Sequence, residues 1–419
     1  MWDKYALTSG QMVRKRLLLL TQFFPPETGA GAHRIGAMAE VLSKHFEVSV
    51  VTLKPSYPSP QAYEGISLES HDARYSYGVK RTFAFNPHSG TLLLRSLREQ
   101  IMTLRLALRA LPESVDILLT SSPSMFLGPA GLAVARAKNA KFACDIRDVT
   151  WGYAKDVAGT SPTMIFAARM LERYILSALR RADLVIGASR GITTVVVEGG
   201  VDHDKAITVP NGISTDLLEA IMQGTAGKVE NRRPVVAYAG LIGYNQDLGV
   251  LLEAARMVPD VDFILAGDGP ELALLKKKAG ELALDNVSFS GYLSRDKLID
   301  LYRRSNVLFA HVRSSPTINA TMIPIKLFEY MATGKPIIYA GRGAAAELLR
   351  HIGCAVTVTP GDPKLIGTAI SDLLRDPERM RMLGLRGRSR VQTDFHREKL
   401  MEKLACALEE CFARGPNVR

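Results

Sequence analysis

The sequence predicts an α/β fold built from two Rossmann-like halves in tandem. Three observations predict it. The chain has 419 residues, too many for one core and suited to two domains of about 200 each. Short apolar strand-type runs alternate with amphipathic helical runs along its whole length. The alternation also restarts after a polar break, QGTAGKVENRRP, as though a second copy of the plan had begun.

In the first half, RLLLLTQF reads as a strand, HRIGAMAEVLSKH as a helix and EVSVVTL as the next strand. MVRKRLLLLTQFF resembles the charged and apolar parts of a signal peptide. Its apolar run is short, no small-residue cleavage site follows, and FPPETGAG reads as a loop, so LLLLTQ is taken as the first buried strand. VDILLTSS, KFACDIRD, ADLVIGAS and KAITVPNG are the further strand-type runs of this half. The second half opens at PVVAYAG. Strands VDFILAGDG, NVSFSG, NVLFAHV and PIIYAG then alternate with helices LGVLLEAARMV, ELALLKKKAGEL, SRDKLIDLYRRS, KLFEYMATG and AAAELLRHIG. The expected domains are 1–215, with 1–12 a disordered extension, and 216–395. A C-terminal helix, 396–419, packs back on the body. Ligands of such sheets bind beyond the carboxyl ends of the strands, so two facing halves would hold a cleft between them.

Composition narrows the function. The chain is 47% hydrophobic and 23% charged, ordinary for a globular protein, and no run approaches the roughly 18 apolar residues of a membrane span. Its net charge of +11 points to an anionic partner. Basic residues are not interleaved with aromatics as a base-stacking surface requires, so phosphate and acidic lipid are favoured over nucleic acid. Cys144, Cys354, Cys406 and Cys411 lack zinc or CxxC spacing and read as reduced thiols of a cytoplasmic protein.

Three loops at strand ends carry glycines. These are FPPETGAG with Gly29 and Gly31, AGLIGYNQ with Gly240, Gly243 and Gln246, and AGDGPE with Gly267 and Gly269. Glycine lets backbone N–H groups approach a phosphate, and a following helix N-terminus favours negative charge; in AGDGPE the glycines would let a flat ring approach closely. The plainer reading is an ordinary strand–helix turn. GAG is not the dinucleotide fingerprint GxGxxG.

PIKLFEYMATGKPII places Lys326 and Glu329 on one face of a helix that starts after Pro324. A surface ion pair is one reading. The other is a clamp: a carboxylate able to accept two ribose hydroxyls beside an ammonium able to neutralise a diphosphate. Asp148, in CDIRDVTWG, either orients an acceptor hydroxyl or is a capping Asp with an Arg partner. The DxD spacings Asp202/Asp204 and Asp260/Asp262 sit in polar turns and read as capping rather than metal binding.

Two helical stretches are amphipathic. In TLLLRSLREQIMTLRLALRAL, Arg95, Arg98, Arg105 and Arg109 share a stripe opposite Leu93, Leu97, Ile101, Leu104 and Leu108. Arg169, Arg173 and Arg180 form a similar stripe in MIFAARMLERYILSALRR. Each is either a core-packed helix with a solvated basic face or a helix lying on anionic lipid.

Taken in order, FFPPETGAGAHR, CDIRD, VPNG, AGDGPE and PIKLFEYMATGKPII resemble the GT4 glycosyltransferases of the GT-B fold, most of all bacterial enzymes that build O-antigen and capsule repeats. The resemblance runs from about Leu17 to Glu409. It implies two Rossmann-like domains facing across a cleft and a metal-independent, retaining transfer. The donor would be a nucleoside diphosphate sugar and the acceptor a lipid-linked saccharide, handled by a cytoplasmic enzyme peripheral at the inner membrane. It also implies that Glu329 binds the donor ribose as the second Glu of the family's E-x7-E pair. Asp148 would lie beside the transferred sugar, and Asn211–Gly212 would form the interdomain turn. The first Glu of the pair is replaced by Thr321. The family's Arg and Lys after the first C-domain strand are also missing. Gly243 and Gln246 stand there, which leaves Lys326 to supply the phosphate charge. Two rival functions share the pattern: a non-hydrolysing nucleotide-sugar epimerase and a non-catalytic membrane scaffold.

Overall fold

The computed structural model describes residues 14–56, 59–85, 92–122, 124–159, 161–227, 229 and 231–413, with the backbone alone at 92, 93, 122, 412 and 413. The expected N-terminal extension and the side chain of Leu93 lie outside the described residues.

The first sheet has seven strands. They are β1 (Arg16–Thr21), β2 (Glu47–Leu53), β3 (Gly78–Thr82), β4 (Ile117–Ser122), β5 (Lys141–Ile146), β6 (Leu184–Gly187) and β7 (Ala206–Thr208), in spatial order β3-β2-β1-β4-β5-β6-β7. β1 pairs in parallel with β2 and β4, and β2 with β3. The second sheet has six strands: β8 (Val235–Ala239), β9 (Asp262–Ala266), β10 (Val287–Gly291), β11 (Val307–His311), β12 (Ile337–Ala340) and β13 (Ala355–Val358), in order β10-β9-β8-β11-β12-β13. All its pairings are parallel. In both sheets the winding reverses beside the first strand, between β1 and β4 and between β8 and β11. A doubly wound sheet opens a crevice at that point, beyond the strand ends.

The second sheet shows why its strands read as unbroken apolar runs. Ala237, Ala239, Leu308, Ala310, Ile337 and Tyr339 enter one buried cluster. Their neighbours Val236, Tyr238, Val307, Phe309, Ile338 and Ala340 enter another. On β8, β11 and β12 alternate side chains thus bury against helices on both faces, and no polar position is left to mark a period of two; the edge strand β10 keeps one, with Ser288 and Ser290 exposed.

The chain divides into two compact units. One holds residues up to Asp145, Ser177–Val185 and the chain from Ala405 on; the other holds Ile146–Leu176 and Ile186–Leu404. The sequence places the boundary at 215/216.

In the first unit a buried ion pair ties the helix Ala30–His45 to the sheet. Arg34 donates from Nε and Nη2 to the Asp145 carboxylate at 3.2 and 2.7 Å, and Ser121 Oγ donates to the same carboxylate. Both partners are at most 1% exposed. Removing one partner strands the other charge away from water. Arg34→Met is therefore expected to lower the unfolding free energy by ~3–5 kcal/mol, measured by urea denaturation. A loss under ~1 kcal/mol would mean that the pair contributes little to holding the unit together.

The helix Leu92–Ala110 resolves the choice left open for its leucines. Met102, Thr103, Leu106 and Ala110 face inward, whereas Leu97, Leu104 and Leu108 are 52%, 59% and 56% exposed. The 102/106/110 row, spaced four apart, makes the core contact, so the leucine stripe is not the core-packed face. Arg105 and Arg109 are exposed alongside it rather than opposite it, because the opposite face is the buried 102/106/110 row. The Arg98 and Arg105 guanidiniums lie over the rings of Phe85 and Phe83, and Phe83 is itself exposed. The helix Pro162–Leu179 behaves alike: Ile175, Leu176 and Leu179 are buried, while Phe166, Met170, Tyr174, Arg169 and Arg173 are exposed. Among the described residues no helix is long and apolar enough to cross a membrane.

Candidate functional site

The second unit builds its site at the reversal point between β8 and β11. Its main element is the helix Lys326–Thr333, which begins just after Pro324 and is closed by Gly334 in the left-handed conformation, φ 69°. Leu327, Phe328, Tyr330 and Met331 bury into the core, so the first turn is fixed and its polar side chains have little choice of direction. The Tyr330 hydroxyl strengthens this fixing. It accepts the Ala239 N–H at 2.9 Å, joining the helix to the end of β8.

Lys326 and Glu329 are both half-buried. Among the described residues they do not form an ion pair with each other; each has a tyrosine partner. Lys326 Nζ donates to the Tyr238 hydroxyl at 2.6 Å and lies 3.8 Å from that ring's centroid. Tyr238 in turn donates to the Leu241 carbonyl. Glu329 accepts from the Tyr302 hydroxyl at 2.9 Å. Burial pulls the Lys326 ammonium down to about 7, although Glu329 works the other way. Burial also pushes the Glu329 carboxyl up, against the Tyr302 hydrogen bond and the positive charges of Lys326 and Arg397. A surface ion pair would show neither shift. The turn holds an ammonium and a carboxylate that each gain from an incoming ligand of opposite polarity.

The glycines of the two neighbouring loops have a backbone reason to be there. Gly240, Gly267 and Gly269 have φ of 130°, 136° and 154°, values hostile to any side chain. A Cβ on Gly267 would fall 1.8 Å from the Gly240 carbonyl oxygen, and one on Gly240 would stand 2.7 Å from Lys326 Nζ. The N–H of Gly240 donates to Ala266 O, and that of Gly267 to Gly291 O. Those two amides are therefore engaged in joining loops, where the sequence reading had offered them to a phosphate or a flat ring. What the close approach does achieve is room for the lysine. Gly243 opens the turn Tyr244–Gln246, and the Gln246 N–H donates to its carbonyl at 3.0 Å.

Residues that sequence reasoning missed fix the same turn. His311, at the end of β11, donates from Nδ1 to Gln246 O at 2.9 Å and accepts the Gly361 N–H at Nε2. Burial lowers its pKa, which suits that neutral ring. Arg313 lies over the Tyr244 ring and pairs with Asp247. Tyr238 and Tyr302 were also missed, since each is a strand or helix residue whose hydroxyl finds its partner only in the folded chain.

Asp148 follows β5, beside Arg147 and Tyr153. Burial raises its pKa against the pull of Arg147. Thr321 lies beside Tyr153; its hydroxyl donates to Thr317 O at 2.7 Å and its carbonyl accepts from Ser189 Oγ at 2.7 Å. Thr321 is thus buried, with both its polar groups engaged, where the family pattern has a Glu. Asn211 and Gly212 form a turn at φ 60° for the glycine, and their carbonyls accept from Arg397. Asp202 caps the short turn His203–Lys205, and Asp262 pairs with Arg233. Gly29 caps the N-terminus of the helix Ala30–His45 after β1, with Gly31 in its first turn, in the first unit.

Two family models match this arrangement half by half. "Glycosyl transferase 4-like domain" covers residues 29–212 and "Glycosyl transferases group 1" covers residues 225–390. The chain belongs to this glycosyltransferase family. The transferase is 25% identical over 390 residues to the GDP-mannose-dependent alpha-(1-6)-phosphatidylinositol monomannoside mannosyltransferase of Mycolicibacterium smegmatis, covering 89% of this chain and 92% of that one. It is likewise 25% identical over 389 residues to the putative colanic acid biosynthesis glycosyl transferase WcaI of Escherichia coli, covering 87% and 93%. Among solved structures, Anabaena Alr3699/HepE in complex with UDP superposes with a TM-score of 0.69 at 17% identity, covering 94% of this chain and all of that one. Sucrose-phosphate synthase from Thermosynechococcus elongatus gives 0.71 at 19% identity, covering 96% and 100%. These likenesses identify the fold of the transferase as GT-B.

Proposed function

We propose that the enzyme is a retaining glycosyltransferase. It would move a sugar from a nucleoside diphosphate donor to a lipid-linked or saccharide acceptor in cell-surface polysaccharide or glycolipid synthesis. One observation carries the reading: the half-buried Lys326 and Glu329 of a single helical turn stand where the second sheet reverses, each supported by a tyrosine. Glu329 accepts the two ribose hydroxyls of the donor, with Tyr302 fixing the carboxylate. Lys326 meets the diphosphate as the glycosidic bond breaks and charge builds on the leaving oxygen. Gly240 leaves the space this requires, and Gly243 and Gln246 shape the adjoining turn. The Asp148 carboxyl, raised by burial, orients the acceptor hydroxyl, whose proton passes to the departing diphosphate. The protein supplies no covalent nucleophile, and the cation at the phosphates is a side chain, so no metal is needed. The Gly29–Gly31 turn stands at the matching reversal point of the first sheet and receives a phosphate or acceptor hydroxyl there. The relatives named for a phosphatidylinositol mannoside and for colanic acid support this class of acceptor.

The deciding experiment presents UDP-, GDP- and dTDP-sugars with membrane-extracted lipid acceptors and weighs the products. A product heavier than the acceptor by one sugar is expected. Release of an epimerised free nucleotide sugar would establish the epimerase instead. Failure to bind any of the donors would leave a scaffold.

The exposed leucine and arginine stripe of the helix Leu92–Ala110 supports peripheral contact with an anionic membrane from the cytoplasmic side. Leu104→Asp with Leu108→Asp should cut partitioning onto phosphatidylglycerol vesicles at least tenfold, each exposed leucine being worth ~1.5–3 kcal/mol when buried. Sedimentation with vesicles measures it, and unchanged binding would remove the helix from the interface.

A further inference from the structure

The donor reading leaves a diphosphate with one lysine, because the loop after β8 lacks the basic residues expected there. A second cation reaches that loop from the adjacent strand. Arg313 follows β11 by two residues, and β11 pairs with β8 across the reversal point. Its N–H donates to Asn245 O at 2.9 Å, which sets the backbone against the turn. Its guanidinium carbon lies 4.1 Å from the centroid of the Tyr244 ring, and Nη2 is 3.1 Å from Asp247 Oδ1. Tyr244 is largely exposed, and the Arg313 side chain is 37% exposed, so the guanidinium is reachable from solvent. Nε is buried and has no hydrogen-bond partner.

We propose that Arg313 is a donor-binding residue, the second cation that receives the diphosphate; this rests on the donor reading given above. A guanidinium offers five donors in a planar fork matched to paired oxygens. Here one carboxylate oxygen occupies one arm, and stacking on Tyr244 holds the plane in place. A residue meant only to pin the loop would use more of its fork. The backbone bond to Asn245 and the His311 bond to Gln246 already pin the loop without it. Asp247, in the left-handed conformation at φ 40°, keeps the side chain extended until phosphate oxygens take its place or join it.

The test is titration of the full chain with UDP, GDP and dTDP, and with uridine, guanosine and thymidine followed by ligand-observed NMR. Arg313→Gln should weaken whichever diphosphate the wild type binds by roughly 10- to 100-fold, with the matching nucleoside unaffected. Arg313→Lys should fall between, since it keeps the charge without the fork. Asp247→Asn should bind the diphosphate as well as the wild type or better. Equal losses for nucleoside and diphosphate would reduce Arg313 to a loop support and overturn the inference, as would wild-type diphosphate affinity in Arg313→Gln. If the wild type bound none of the three diphosphates, the donor reading would fall and take this inference with it. If Glu329→Ala lost nucleoside binding while Arg313→Gln changed nothing, the donor reading would stand and this inference alone would fall.

Discussion

Glu329→Ala is expected to lower kcat/KM for the donor by roughly 150-fold or more. The carboxylate is assigned two ribose hydroxyls, and a hydrogen bond to a charged acceptor is worth ~1.5–3 kcal/mol. Losing two therefore costs ~3 kcal/mol at the least. The loss should extend to donor and nucleoside diphosphate binding, because the ribose stays on the nucleotide throughout the reaction. Glu329→Gln should recover part of it, since one amide oxygen still accepts. Tyr302→Phe provides a sharper control. Tyr302 donates to Glu329 and is buried, so its removal should cost only a few-fold in affinity while letting the carboxylate wander. The readouts are initial rates over a range of donor concentrations and calorimetric affinity for the nucleoside diphosphate. Wild-type rates in Glu329→Ala would refute the ribose assignment outright. A loss of rate without loss of affinity would move Glu329 to the transferred sugar.

That residue was legible because its neighbourhood is local. Pro324, the apolar run through Met331 and the Gly-Lys-Pro turn mark a helix following a strand, and spacing alone puts Lys326 and Glu329 on one face. Most strands were legible for a similar reason: EVSVVTL coincides with β2, and the runs of β8, β11 and β12 are apolar because both faces are covered. β3 was missed because it is an edge strand carrying Lys80 and Arg81, a composition that reads as a loop. The helix Pro377–Asp394 was missed because RMRMLGLRGRSR offers few apolar residues at helical spacing; Leu383, Gly384, Gly387 and Val391 make its buried contacts. The partners of the site were out of reach for a different reason. Tyr302 lies 27 residues before Glu329, and Tyr238 lies 88 residues before Lys326. Tyr238 meets Lys326 only once the sheet has brought β8 beside β11, and Tyr302 meets Glu329 only once the helices Arg295–Arg304 and Lys326–Thr333 lie together. The glycines show an intermediate case. Their unusual backbone could be suspected from the loops, but not that Gly240 and Gly267 would press against each other.

Lys326 gives the enzyme a pH dependence whose sign can be worked out. In the ligand-free protein its ammonium titrates at about 7, lowered from 10.5 by burial. Above pH 7 the folded protein therefore holds Lys326 largely neutral, whereas the unfolded chain keeps the proton to about 10.5. The unfolded state binds more protons throughout that window. This residue's contribution to stability is thus fully present above 10.5 and is lost as pH falls toward 7. Donor binding runs the other way. A diphosphate beside Nζ favours the charged form, so binding above pH 7 must take up a proton. Affinity should fall as pH rises, by roughly 20-fold between pH 6.5 and 8.5 if the bound lysine stays protonated. A nucleotide sugar is the better probe, because its diphosphate is esterified at both ends and does not itself titrate near neutrality. Calorimetry in buffers of different ionisation enthalpy measures the proton uptake directly. Lys326→Met should bind weakly, with a flat profile, and should lose ~10²–10³ in kcat, as when an oxyanion donor is removed. Tyr238 does not titrate in this range, since burial holds its hydroxyl well above 10. Burial pushes the Glu329 carboxyl up, but its ionisation as pH rises strengthens its hold on the ribose hydroxyls, so a fall in affinity belongs to the lysine. A wild-type profile that stayed flat from 6.5 to 8.5, with no proton taken up, would place the diphosphate elsewhere than at Lys326.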